Sequence, residues 1–224
     1  MTPSSPTARI LAALLLVQLA GLIAPFAMIQ PMLPVDFLTS ASAHAGQVKL
    51  AVVLFVLNCG LTIGISLFLR RVLLPEEGST ALLLVVMSGI LFTLQAVDDA
   101  HLLSMLSLSE RSAGAGGEGE LLRAMGETVR STRRWVHYAT LLSIEVWMFT
   151  LYTALYRAKL VPRTVALFGL ATVVMHFGGV VAPFFLGRPS IMVLAMSMGI
   201  SQLVLVLWLA TVGFSGRRLT PMHS

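Results

Sequence analysis

Six side chains in this sequence place ionisable chemistry inside apolar surroundings: Asp98, Asp99, His101, His137, Glu145 and His176. Asp98 and His101 are three positions apart, a spacing that puts a carboxylate and an imidazole on one face of a helix. His137 opens the next apolar block and is expected to enter from the same side. A carboxylate beside two imidazoles suits a transition metal such as zinc, copper or iron. It also suits proton relay, because histidine exchanges its proton near neutral pH. A third reading of the same residues is a hydrogen-bonded or ion-paired cluster that fastens helices to each other. Glu145 and His176 lie about ten and about twelve residues into their own blocks, which at a helical rise of about 1.5 Å per residue is near the middle of a bilayer. There the two either satisfy each other, or Glu145 stays protonated and bonds Asn58 or Gln202. Gln95, Asn58 and Gln202 are the supporting polar residues.

The elements that must carry these residues are apolar blocks. Ile10 to Leu33, Val48 to Leu69, Thr80 to Leu102, Trp135 to Tyr156, Thr164 to Leu186 and Ile191 to Phe214 each hold enough apolar residues to cross a membrane, for which about 20 suffice. The chain is 57% hydrophobic and 11% charged, so little is left to build a water-facing domain. The expected fold is all-α: one integral membrane domain, 1–224, of six transmembrane helices with spans near 10–33, 48–69, 80–102, 135–156, 164–186 and 191–214.

Pro25, Pro31 and Pro34 fall late in the first block, where they are expected to bend or end its helix. Arg70 to Ser79 reads as a polar turn in a tight helical hairpin. The long connection, 103–134, begins with a stretch rich in Gly, Ser and Ala, Ser109 to Gly119, expected to be flexible linker. Leu121, Leu122, Met125 and Val129 then recur at helical spacing among arginines. They form either a short amphipathic helix on the membrane surface or an early start to the fourth helix. The small residues Ala41, Ser42 and Ala43 resemble a cleavage site, but the apolar run before them is too long for a signal core, so the first span is expected to stay in place.

A net charge of +5 does not imply nucleic acid, because the 15 basic residues are scattered at block ends. The expected partner is the lipid bilayer, and no nucleic acid is expected. Arg9, Arg70, Arg71, Arg157, Lys159, Arg163, Arg217 and Arg218 belong to one side of the membrane, with Lys49, Arg188 and the five arginines of the long connection on the other. Positive residues favour the cytoplasm, so both termini are expected there. Trp135, Tyr138, Tyr152 and Tyr156 read as interfacial anchors. The lone Cys59 excludes an internal disulfide.

No G-x-S-x-G, H-E-x-x-H or phosphate-binding loop is present, so hydrolase and nucleotide-driven activities lack a basis. Two imidazoles facing across a bundle are all that a haem needs, and His176 with His101 or His137 would supply them. Met175, Met192, Met196 and Met198 offer soft copper ligands but serve equally as apolar filler. No cofactor is expected; haem or metal stays as an alternative.

Two stretches carry a family likeness. SLFLRRVLLPEEGSTALLLVVMSGILFTLQAV, from Ser66 to Val97, and LYTALYRAKLVPRTVALFGLATVV, from Leu151 to Val174, resemble the bacterial six-span family catalogued as domain of unknown function 4386. The second is the more specific, joining a tyrosine-arginine helix end to an LVPR turn, Leu160 to Arg163, and a Gly-containing span. The resemblance implies a six-helix protein of the bacterial cytoplasmic membrane over about residues 10–214, and it implies no activity, cofactor or catalytic set. The expected function is therefore a non-enzymatic structural, sensory or accessory membrane component. The alternatives are a proton, ion or small-solute transport protein using the embedded carboxylates and histidines, and a haem- or metal-binding redox protein.

Overall fold

A computed structural model describes residues 6–30, 33, 37–114, 119–186 and 192–215. Among these, the elements are α1 (Pro6–Ile29), α2 (Phe37–Ser40), a 3-10 turn (Ser42–His44), α3 (Ala45–Gly114), α4 (Gly119–Arg157), α5 (Arg163–Leu186) and α6 (Met192–Thr211). The protein is an all-helical membrane bundle, and the described residues contain no strand. In hydrocarbon every backbone polar group must find its partner within the chain, and a helix is the local way to do so. Among the described residues, five helical segments are long and apolar enough to cross a membrane: Pro6–Ile29, Ser42–Leu73, Glu77–Ala113, Gly119–Arg157 and Arg163–Ala182. A shorter apolar helix, Met196–Thr211, follows. Their outward faces are apolar too, with Val17, Leu57, Val174 and Leu207 each more than half exposed, a pattern suited to lipid contact and not to water.

Local chemistry sets the helix ends. α1 carries Pro25 within it and stops at Ile29, ahead of Pro31, which disfavours helical backbone in the residue before it. Pro31 and Pro34 lie outside the described residues. α3 is 70 residues long and has one non-helical residue, Glu77 (φ −132°, ψ 44°). The helix folds back there, since Lys49 Nζ lies 3.9 Å from Glu110 Oε1, whereas a straight helix would hold them about 90 Å apart. The Glu77 carboxylate closes the bend by accepting the Thr80 hydroxyl at 2.9 Å and pairing with Arg157 Nε at 3.0 Å.

The connection after α3 differs from expectation. Residues 109–114 are helix and not flexible linker. The physical reason is Ser109, fully buried, which donates its hydroxyl to the Leu38 carbonyl at 2.8 Å and accepts the Ser42 amide at 2.9 Å. Residues 115–118 lie outside the described residues. Of the two readings of 121–134, the early start to the fourth helix is the one observed, for α4 runs unbroken from Gly119 to Arg157.

α4 ends in a Schellman turn. Leu160 N–H returns to the Leu155 carbonyl and Lys159 N–H to that of Tyr156, with Lys159 at φ 53°. Buried Leu160 and Leu155 supply the apolar contact that accompanies this motif. The chain after α6 comes back to the same turn, where the Ser215 amide donates to the Leu160 carbonyl at 2.8 Å.

The chain divides into two compact units. Unit 1 comprises Met1–Val17, Gly64–Met87 and Glu145–Ser224; unit 2 comprises Gln18–Ile63 and Ser88–Ile144. The core of unit 1 includes Leu11, Leu15, Ile65, Leu69, Trp147 and Leu151. That of unit 2 gathers Ile29, Ala41, Val48, Ala51, Phe55, Leu102 and Leu106.

Candidate functional site

Within unit 1, Glu145 on α4 and His176 on α5 meet directly, with His176 Nδ1 2.8 Å from Glu145 Oε1. Both side chains are more than nine-tenths buried. Glu145 Oε2 has no hydrogen-bond partner among the described residues. The contact is therefore one-sided: one carboxylate oxygen shares a proton with the imidazole, and the other is open. An imidazole and a carboxylate in low dielectric form a neutral set in two ways, as an ion pair or as a neutral acid beside a neutral ring.

Around this pair, unit 1 is fastened by uncharged hydrogen bonds. The Trp147 indole donates to Ser66 Oγ at 2.9 Å, and the Tyr152 and Thr172 hydroxyls donate to Ser201 Oγ at 3.1 and 2.8 Å. The Gln202 amide donates to the Leu15 carbonyl at 3.0 Å. Gln202 is thus committed to α1 and is not the partner of Glu145. Gly169 makes room for Tyr152, because a methyl group there would overlap the phenol ring.

Within unit 2, Asp98 on the second arm of α3 is held from α4. Arg133 Nε lies 3.2 Å from Asp98 Oδ1, and its Nη2 donates to Oδ2 at 3.4 Å. His137 Nδ1 reaches the same Oδ2 at 3.2 Å, and Phe26 stacks on the imidazole with ring centroids 6.3 Å apart. Asp99, 3% exposed, takes a 2.9 Å bond from the Gln95 amide on Oδ1, while its Oδ2 has no partner among the described residues. The Asn58 Oδ1 is set against Gly21, where a methyl group would stand 2.6 Å from it.

Of the residues singled out in the sequence, the structure joins Glu145 to His176, Asp98 to His137 and Gln95 to Asp99. His101 shares a helix with Asp98, but its Nδ1 lies 2.7 Å from the Val97 carbonyl one turn back, and among the described residues it makes no hydrogen bond or ion pair with Asp98 or His137. Arg133 completes the cluster; by sequence it is one of the arginines among which the apolar positions of 121–134 recur. The signal was present: Arg133 and His137 are four positions apart, so the two share a face of α4. Among the described residues no group of three or more His, Cys, Asp or Glu is arranged to hold a metal ion.

A family model described as a domain of unknown function (DUF4386) matches residues 12–213. No curated protein and no solved structure matches the chain.

Proposed function

Because the chain belongs to the DUF4386 family, whose description assigns no activity, we propose its function from the geometry: it is a proton-handling membrane protein in which Glu145 and His176 bind and release the proton. The observation that carries this reading is the buried 2.8 Å contact with one carboxylate oxygen left open. A pair serving only to fasten helices gains little from charge, since a buried ion pair rarely outperforms apolar packing of the same volume. Unit 1 already has uncharged fasteners in Trp147, Tyr152 and Thr172. An ionisable pair inside a membrane is retained for work that an uncharged pair cannot do, and moving a proton is such work.

The test is proton flux in proteoliposomes. Wild-type protein carries protons faster than protein-free liposomes, and Glu145→Gln, folded to the same extent by circular dichroism, falls to the protein-free rate. Wild-type flux equal to that of empty liposomes overturns the reading.

A second reading, a structural or accessory membrane component, is favoured by Asp98, which is clamped by the permanent charge of Arg133. Under either reading the protein sits in the bacterial cytoplasmic membrane with both termini inside. Pairing of Arg133 with Asp98 supports that orientation, because it withdraws one arginine from the count opposing it.

A further inference from the structure

The charges of the buried cluster in unit 2 do not balance without a proton. Asp98 and Asp99 are adjacent, each 3% exposed, and the fixed positive charge beside them is Arg133. A guanidinium does not release its proton in a protein, so Arg133 offsets one carboxylate and no more. The remaining candidates for a positive charge are His137, whose side chain is 31% exposed, and a proton on Asp99 itself. Asp99 receives one amide hydrogen, from Gln95, and its Oδ2 is open.

The groups that act on Asp99 come from three segments. They are Asp98 and Gln95 on its own arm of α3, Arg133 on α4, and the buried thiol of Cys59 on the other arm. None of them supplies a second cation. Leaving two adjacent carboxylates ionised against one guanidinium in low dielectric is strongly unfavourable, which is the situation in which one acid of a pair keeps its proton.

We propose that the Asp98, Asp99, Arg133 and His137 cluster is a proton-binding site holding one exchangeable proton, which resides either on the buried acid Asp99 or on His137, the exposed base joined to the cluster through Asp98. The balance is simple. With the proton on His137 the cluster is two carboxylates against guanidinium and imidazolium; with it on Asp99, one carboxylate faces one guanidinium and the ring is neutral. Net charge is zero in both arrangements, and losing the proton to water leaves one uncompensated negative charge. This site is separate from Glu145 and His176 and does not depend on their role.

Infrared difference spectroscopy of the full-length protein in liposomes, recorded across a pH step, tests the proposal. Wild type shows a carboxylic acid C=O stretching band that is lost at high pH. Isotope-labelled aspartate shifts that band and labelled glutamate leaves it in place, a result obtained without any substitution. Asp99→Asn removes the band, while Glu145→Gln retains it. A wild-type spectrum in which no band shifts with labelled aspartate at any pH, or an aspartate-shifted band that survives in Asp99→Asn, overturns the proposal, and neither result measures proton flux through Glu145.

Discussion

Asp98 and Glu145 are both carboxylates buried within membrane-spanning helices and both touch an imidazole, yet their charge is balanced differently. Asp98 has an arginine as well as a histidine, and the arginine holds its charge at any pH a protein survives. Among the described residues Glu145 has His176 alone, so the positive partner exists only while a proton is present. One carboxylate is clamped and the other is conditional. The same functional group, a carboxylate, is thus held in two ways according to whether its counter-charge can leave.

Substitutions can break or sharpen this contrast. The largest effect is expected at Arg133→Leu, which strands Asp98 and is expected to cost about 3 kcal/mol of stability. Urea or thermal unfolding in detergent measures it, and a loss no greater than that of Glu145→Gln would erase the distinction between the carboxylates. Next comes Gly169→Ala, whose methyl group overlaps the Tyr152 ring and is expected to destabilise by about 2 kcal/mol. The matching change in unit 2, Gly21→Ala, meets an Asn58 amide that can rotate aside, and so costs less by the same unfolding measurement.

Glu145→Gln is expected to lower stability by about 0.6 kcal/mol, because His176 Nδ1–H can still donate to an amide oxygen. Activity lost with stability nearly kept is the signature of the conditional pair, and the flux and unfolding assays together read it. The smallest effect is a gain. Lys159→Gly relieves the left-handed backbone at φ 53° and is expected to stabilise by about 0.5 kcal/mol, the penalty relieved being partly offset by the greater chain entropy of glycine. It lies outside both sites and serves as a control that moves unfolding without moving flux.

The helical membrane class was legible in run length alone, because crossing hydrocarbon demands a minimum number of apolar residues and leaves few other structures. The meeting of Glu145 with His176 was legible as one of two options, since both residues fall mid-span and each lacks a local partner. The choice of Asp98 partners was not. Asp98, His101, Arg133 and His137 all had suitable spacing, but spacing fixes a face and not what that face packs against. His101 found an acceptor in Val97 on its own helix. By sequence Arg133 is one of several arginines on a segment that is either an amphipathic surface helix or the start of the fourth helix, and its place beside Asp98 follows only from the second, since that segment is continuous with α4. The compact end of α3 was hidden for a related reason: Gly, Ser and Ala signal flexibility by composition, and the buried hydroxyl bonds of Ser109 override it.

The bond from the Ser215 amide to the Leu160 carbonyl imposes a parity rule on the membrane topology. A chain that departs from Leu160 and is tied back to it at Ser215 has crossed the bilayer an even number of times in between. α5 and α6 therefore cross together or not at all. One reporter placed after Ser215 accordingly reads the side of the membrane on which the turn between α4 and α5 also stands.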